Sequence, residues 1–324
     1  MMRIAALWII LALAAGPAWA GATRCWVENG ALVVPAAFGG VAGDFILDLS
    51  APRSQLHDTV AQEAGILSDS VRRPLRVADE RIGALALDVA DLDARSLPFV
   101  TGISGVIGAD ALAPFVIDIR FAPCRVTLYR SAPAALAGAV RLRIRRMAGA
   151  PAAPAGVSDG AESRRGWFAI DTGSQGARIA RAALTRAPPQ GVDPESRFQA
   201  PAQLRALSIG GSLFEHTSAG LMPDPPPGLD GAIGLAVWSR FHLRLDLRHG
   251  WLDLAPSPSW GGTDGGTVRV GLCEIEHGLG PTPDFVSTRP MKGREEEASR
   301  SEVGRRCAEA VGAVGEMSRM MDPR

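Results

Sequence analysis

The sequence predicts an all-β protein built from two similar domains, and three observations lead to this prediction. Short apolar runs are separated by Gly, Pro, Asn and Asp, which is typical of strands joined by turns. Within the two domains, helical periodicity is brief and falls at 54–64 and 175–185. One series of motifs occurs twice, with a period of about 125 residues. Many short strands in each copy predict sandwich or barrel-like β domains.

Length and composition agree with two folded domains. The chain has 324 residues, of which 47% are apolar and 21% charged, so it can bury a core and is not disordered throughout. Lys and Arg number 34, as do Asp and Glu, and the formal net charge is therefore zero. Without a basic excess, we expect no nucleic-acid partner.

The first residues, 1–20, are predicted to be a signal peptide. Arg3 precedes an apolar run at 4–15, which is too short to span a bilayer and is followed by Ala18-Trp19-Ala20, a small-residue cleavage site. We expect an exported protein, periplasmic or secreted, that begins near Gly21 and has no stable membrane span. The alternative is an uncleaved anchor.

Four cysteines are present, at positions 25, 124, 273 and 307, and none belongs to a C-x-x-C pair. Zinc and thioredoxin chemistry are therefore unsupported. An exported protein can form disulfides, and we predict Cys25–Cys124 because both would lie at the borders of one domain. The alternative is that these thiols are free or paired differently.

The repeated motif is an apolar strand that ends in Asp, followed about 60 residues later by an Ile-Gly element. In the first copy, Asp48 ends the strand and the later element is 105–108. In the second copy, Asp171 ends the strand and the later element is 231–234. A structural turn that each Asp caps is the alternative to a functional site.

The repeat predicts how the chain is organised. Asp118 and Asp246 follow the Ile-Gly elements at matching places, and we interpret them as structural. Residues 147–163 are rich in Ala, Pro and Gly, which predicts a long loop at the start of the second copy. The predicted parts are a signal peptide at 1–20, a first lobe at 22–134, a second lobe at 138–257 and a low-order tail at 258–324.

The motifs around 169–174, 230–234 and 241–246 resemble those of an aspartic protease of the pepsin/retropepsin type. The resemblance covers residues 25–256 and is closest to a bacterial, exported enzyme with both lobes in one chain. It implies two similar β-barrel lobes with short helices and an active-site cleft between them. It also implies an endopeptidase with a peptide or protein substrate, no metal, no cofactor and a monomeric state.

By this resemblance, Asp171 and Asp48 are the catalytic carboxylates, and Thr172 and Gly173 support Asp171. Two carboxylates about 3 Å apart share one proton, because both cannot ionise at that distance. One carboxylate takes a proton from a bound water, and the other donates a proton to the substrate. In the family, the Thr hydroxyl joins the two Asp loops.

The first copy departs from the family pattern. Leu49 stands where the family has a hydroxyl residue, so it cannot hydrogen-bond to the opposite loop. Ser50 has a Cβ where the family has Gly, and we expect its N–H to be displaced from Asp48. The resulting site is expected to be loose, slow or inactive.

Residues 75–87 form a predicted hairpin that could cover the substrate, or that could be an ordinary connection.

Two alternatives to the peptidase follow from the departures in the first copy. One is a degenerate protease fold that binds peptides or cell-envelope partners without cutting them. The other is a homodimer in which two copies of the Asp171 loop form the site.

Overall fold

The computed structural model describes residues 20–160, 163–180, 201–222, 224–257 and 268–270, and most of them lie in short strands. The first copy comprises β1 (Ala20–Arg24), β2 (Trp26–Glu28), β3 (Ala31–Phe38), β4 (Val41–Leu47), β5 (Gln55–His57), α1 (Asp58–Glu63), β6 (Ser70–Val77), β7 (Glu80–Ala90), α2 (Asp93–Ser96), β8 (Ile103–Ile107), α3 (Ala109–Leu112), β9 (Val116–Phe121) and β10 (Cys124–Tyr129). The second copy and the region after it comprise β11 (Val140–Arg143), β12 (Arg145–Met147), β13 (Ala150–Ser158), β14 (Ser163–Ile170), β15 (Ala177–Ala180), β16 (Pro201–Ile209), β17 (Ser212–Met222), β18 (Gly231–Ile233), α4 (Leu235–Trp238), β19 (Phe241–Asp246), β20 (Trp251–Pro256) and β21 (Val268–Val270).

Each copy closes a six-stranded barrel. The first barrel has the order β3-β4-β8-β5-β7-β6, and β6 returns to pair with β3. The second has the order β13-β14-β18-β15-β17-β16, and β16 returns to pair with β13. The prediction of an all-β protein with two barrel lobes and short helices is therefore confirmed.

The strand that ends in Asp lies beside the Ile-Gly strand in both barrels. In the first barrel, β4 pairs in parallel with β8, which pairs antiparallel with β5 on its other side. In the second barrel, β14, β18 and β15 repeat this arrangement. All five residues of β8 are buried, so the Ile-Gly strand belongs to the core of the first lobe.

A third sheet joins the lobes, in the order β1-β10-β9-β19-β20-β11. Its first three strands come from the first copy and its last three from the second. The copies meet at β9 and β19, where Asp118 stands opposite Arg244 and Asp246 stands opposite Val116. The predicted match between Asp118 and Asp246 is wrong by two residues. Asp118 lies 10 residues after Gly108, and the residue 10 positions after Gly234 is Arg244 rather than Asp246.

Asp118 is the buried centre of this junction. Its carboxylate contacts His242 Nε2 at 2.7 Å through Oδ1 and accepts a hydrogen bond from Arg244 Nε at 2.8 Å through Oδ2. Burial by itself would raise the pKa of Asp118, but the hydrogen bonds and charges of His242 and Arg244 outweigh it and lower that pKa.

Cys25 and Cys124, the predicted pair, form a disulfide whose Cα atoms are 5.0 Å apart. It lies where β1 and β10 begin to pair, so it ties the start of the first lobe to the joining sheet. Cys273 and Cys307 lie outside the described residues.

Two local predictions are wrong. Residues 147–163 contain the strand β13 rather than a long loop, because its small side chains are buried in the second barrel. Pro154 fits there because β16 pairs only with 156–158, which leaves an open edge beside the proline. The predicted helix at 175–185 is replaced over 177–180 by β15, whose pairing on both edges overrides a weak helical pattern.

The predicted signal peptide lies outside the described residues, apart from Ala20 at the start of β1. The predicted low-order tail also lies outside them, apart from β21, which pairs with β17. Within the described part of the chain, no helix is both long enough and apolar enough to cross a bilayer.

We expect Asp118→Asn to lower the free energy of unfolding at pH 7 by about 3 kcal/mol, because it leaves Arg244 without its buried partner. The lowered pKa means that ionised Asp118 stabilises the fold above the ordinary pKa of Asp. This stabilisation is lost as pH falls, so the difference from wild type should shrink in acid. Urea unfolding of both proteins at several pH values measures this difference in the free energy of unfolding. Asp246→Asn is the control, because Asp246 pairs with the exposed His249, and it should cost less than about 1 kcal/mol.

Candidate active site

The structure places Asp48 and Asp171 at equivalent points of the two barrels. Each directly follows the last residue of its strand, β4 or β14. The N–H of Asp48 donates to the carbonyl of Ile107 at 2.9 Å, and the N–H of Asp171 donates to the carbonyl of Ile233 at 3.0 Å. The Ile-Gly strand therefore fixes the backbone of the Asp loop in each copy.

Thr172 links the two Asp loops across the lobes. Its buried hydroxyl donates to the carbonyl of Leu47 at 2.7 Å and accepts from the N–H of Leu49 at 3.0 Å. Leu49 lies at the equivalent position of the first copy and has no hydroxyl. The linkage is therefore made from one side only, as the sequence predicts for Leu49.

Asp48 is 4% exposed and is held by its own loop. Its Oδ1 accepts hydrogen bonds from the N–H of Ser50 at 2.8 Å and from the Ser50 hydroxyl at 2.7 Å. The expected displacement of the Ser50 N–H is therefore wrong. The Cβ of Ser50 is accommodated, and its hydroxyl supplies a donor that Gly would lack.

Asp171 is 1% exposed and has the corresponding loop contacts. Its Oδ1 accepts from the N–H of Gly173 at 3.0 Å, and its Oδ2 accepts from the Ser174 hydroxyl at 2.6 Å. In the first copy, Ala51 takes the position of Ser174 and offers no hydroxyl. The two carboxylates therefore receive their hydroxyl donors from different loop positions.

The loops bring the two carboxylates close together. A Cβ added to Gly173 would overlap the carboxylate of Asp48, so the backbone beside Asp171 touches Asp48 directly. Burial raises the pKa of Asp171, and the negative charge of Asp48 raises it further. Ser174, Arg178 and the Gly173 N–H oppose this rise without cancelling it.

Sequence reasoning missed two arginines at the site. Arg95 Nη2 lies 2.6 Å from Asp48 Oδ2 and also contacts the Gly173 carbonyl at 3.5 Å. Arg178 Nη2 lies 2.8 Å from Asp171 Oδ2. Arg178 follows Asp171 by only seven residues on β15, which is a signal that could have been used. Arg95 is brought to Asp48 by the α2 segment, and no sequence pattern links the two.

The predicted hairpin at 75–87 is formed by β6 and β7, and its turn packs against the joining sheet. Its two-residue turn, Ala78-Asp79, has positive φ at both positions, which suits the twist of a tight hairpin. Ala78 is buried and lies against β1, where a Cβ on Gly21 would overlap the Ala78 carbonyl. An ion pair between Glu80 and Arg130 fixes the hairpin on the joining sheet. The segment that reaches Asp48 is instead the one carrying α2.

Among the described residues, no group of three or more His, Cys, Asp or Glu side chains is arranged to hold a metal ion.

Comparison with solved structures finds a likeness to the aspartic proteinase from Irpex lacteus. The identity is 15%, the TM-score is 0.47, and the match covers 74% of this chain and 98% of the proteinase chain. No protein-family model matches the sequence, and no curated protein matches it.

We expect Thr172→Val to lower the free energy of unfolding by about 1–3 kcal/mol, because it leaves the buried N–H of Leu49 and carbonyl of Leu47 without a partner. Thr172→Ser keeps the hydroxyl and should stay close to wild type. Urea unfolding at pH 7 measures both. Equal stability of the Val and Ser variants would contradict a linkage through this hydroxyl.

We expect Asp171→Asn to raise the melting temperature at neutral pH. A carboxyl whose pKa is raised in the folded state costs stability as pH rises through that pKa, and Asn removes this cost. The gain should therefore diminish in acid, where wild-type Asp171 is protonated. Calorimetry at several pH values measures this gain. Asp88→Asn is the control, since the partly exposed Asp88 pairs with Arg53 away from the two carboxylates and should change the melting temperature little. A lower melting temperature at pH 7 would show that the Arg178 ion pair dominates instead.

Proposed function

We propose that the protein is an aspartic-type endopeptidase of the pepsin/retropepsin type that hydrolyses peptide bonds with Asp48, Asp171 and one water. The observation that carries the proposal is the convergence of two buried carboxylates at the lobe seam, on loops joined by Thr172. Their electrostatic coupling, seen in the raised pKa of Asp171, supports a shared proton. Family membership and export to the periplasm or medium are parts of the same proposal.

The geometry suggests a role for each carboxylate. Asp171 holds the shared proton, because burial and the charge of Asp48 raise its pKa. Asp48 accepts a proton from the water as its oxygen attacks the scissile carbonyl carbon, while Asp171 donates its proton to the carbonyl oxygen. Asp48 then passes its proton to the amide nitrogen, the C–N bond breaks, and one hydroxyl of the tetrahedral intermediate returns a proton to Asp171. The products are a carboxylic acid and an amine, and both Asp residues are back in their starting states.

The site is formed within one chain. Gly173, two residues after Asp171, lies against the Asp48 carboxylate, so the dyad of Asp48 and Asp171 does not need a second copy of the Asp171 loop. This arrangement favours the single-chain site over the homodimer alternative.

The second candidate function is peptide binding without cleavage. Two observations favour it: Leu49 makes the inter-loop linkage one-sided, and both carboxylates are ion-paired with arginine. Such a protein would retain peptides when Asp48 is replaced by Asn.

We expect the purified protein to cleave members of a diverse peptide pool between pH 3 and 7, with the rate falling as pH rises through the pKa of Asp171. Asp48→Asn and Asp171→Asn should each lower the rate about 10²–10⁴-fold, because each removes one partner of the proton exchange. Mass spectrometry of the products measures the rates, and Asp88→Asn is the control outside the site.

An Asp171→Asn variant that cleaves as fast as wild type would refute the proposal. If no peptide is cleaved but peptides bind equally to wild type and Asp48→Asn, the non-cleaving alternative is correct.

A further inference from the structure

Two partly exposed arginines flank the buried carboxylates, one from each lobe. The side chain of Arg95 is 33% exposed and that of Arg178 is 51% exposed, whereas the carboxylates they pair with are almost fully buried. Each guanidinium therefore has one edge on a carboxylate and another toward solvent.

Among the described residues, most donors of these arginines have no hydrogen-bond acceptor. A guanidinium has five N–H groups, and both residues use only Nη2 to reach the carboxylates. Neither Nε nor Nη1 of either residue hydrogen-bonds to a side chain or backbone group of the described residues. Such paired donors match the two oxygens of a carboxylate.

The two arginines do not occupy equivalent positions of the two copies, so the duplication does not account for them. Arg178 pairs with Ala232 on β18, and the equivalent register position in the first barrel is Gln55, opposite Val106. The positive charge beside Asp48 comes instead from Arg95 in the α2 segment. Each carboxylate is therefore paired with an arginine that comes from a different position of its copy. This points to a function for the positive charge beside the carboxylates.

The charge of the site favours an anion. Two carboxylates and two guanidinium groups sum to zero when all are ionised. When the dyad holds its shared proton, the four groups carry one net positive charge, in a partly desolvated place where charges interact strongly. An incoming carboxylate would restore neutrality.

We propose that Arg95 and Arg178 bind a carboxylate of the substrate, so that the site selects acidic peptides. This inference rests on the proposed function for the role of the dyad. The carboxylate is either an Asp or Glu side chain near the bond that is cut, or the free α-carboxylate at the end of the peptide. If the carboxylate is an Asp or Glu side chain, the enzyme is an endopeptidase with acidic specificity. If it is the α-carboxylate, the enzyme cleaves near the C-terminal end of peptides.

Four short labelled peptides with one common sequence distinguish these sources. They carry a central Glu or Gln, each with a free or an amidated C-terminus. Fluorescence anisotropy with the full chain gives Kd for each peptide, and mass spectrometry gives kcat/KM where cleavage occurs. We expect the peptide with Glu to bind about tenfold more tightly than the peptide with Gln, or the free acid to bind about tenfold more tightly than the amide. This preference should weaken at high salt.

Arg178→Gln and Arg95→Gln should each reduce this preference to near unity, and Arg178→Lys should restore part of it by restoring the charge. Arg141→Gln is the matched control, since Arg141 is 54% exposed and pairs with the buried Asp253 away from the dyad. A merely structural arginine would alter the melting temperature or weaken all four peptides together, leaving their ratios unchanged.

Equal Kd values for all four peptides, or a preference that survives both Gln variants, would overturn the inference. Because Kd does not depend on turnover, this result is separate from a failure of the proposed peptidase activity. Cleavage of neutral and acidic peptides with equal kcat/KM and equal Kd would keep the peptidase and reject the acidic specificity.

Discussion

The need to compensate two carboxylates buried at one seam shapes the centre of this molecule. An ionised carboxylate removed from water must find hydrogen-bond donors or cations, or it must hold a proton. Asp48 and Asp171 are compensated in all three ways. Each has donors in its own loop, each has an arginine at Oδ2, and burial together with the charge of Asp48 raises the pKa of Asp171. The closed barrels and the joining sheet provide a frame stiff enough to hold the pair there.

The two copies keep their backbone arrangement and differ in their side chains. In both, the Ile-Gly strand receives the N–H of the Asp residue, and the residue two positions later donates its N–H to the carboxylate. Backbone bonds tolerate substitution, so they persist while side-chain donors are exchanged. The equivalent positions that differ are Leu49 and Thr172, Ser50 and Gly173, Ala51 and Ser174, Gln55 and Arg178, and Asp118 and Arg244.

Because of these differences, the two Asp loops are unequal although the two lobes share one backbone arrangement. The Thr172 hydroxyl makes the whole inter-loop linkage from the second lobe, and Ser50 supplies the first lobe with a donor that its counterpart Gly173 cannot offer. The same divergence produces an attractive pair in the joining sheet, where Asp118 faces Arg244 across the junction. The unequal loops give the two carboxylates different surroundings, and burial together with the charge of Asp48 raises the pKa of Asp171.

The sequence by itself determined the β class, the duplication and the positions of the two Asp loops, because apolar alternation and motif spacing can be read along the chain. It left the cysteine pairing open, and the folded chain joins Cys25 to Cys124. Tertiary structure decided the rest. Only barrel closure turned the Ala-rich segment at 150–158 into a buried strand, since pairing partners distant in the sequence outweigh composition. Only the folded chain brought Arg95 to Asp48 and fixed the register that opposes Asp118 to Arg244. A contact between residues far apart in the chain leaves no periodic trace in the sequence.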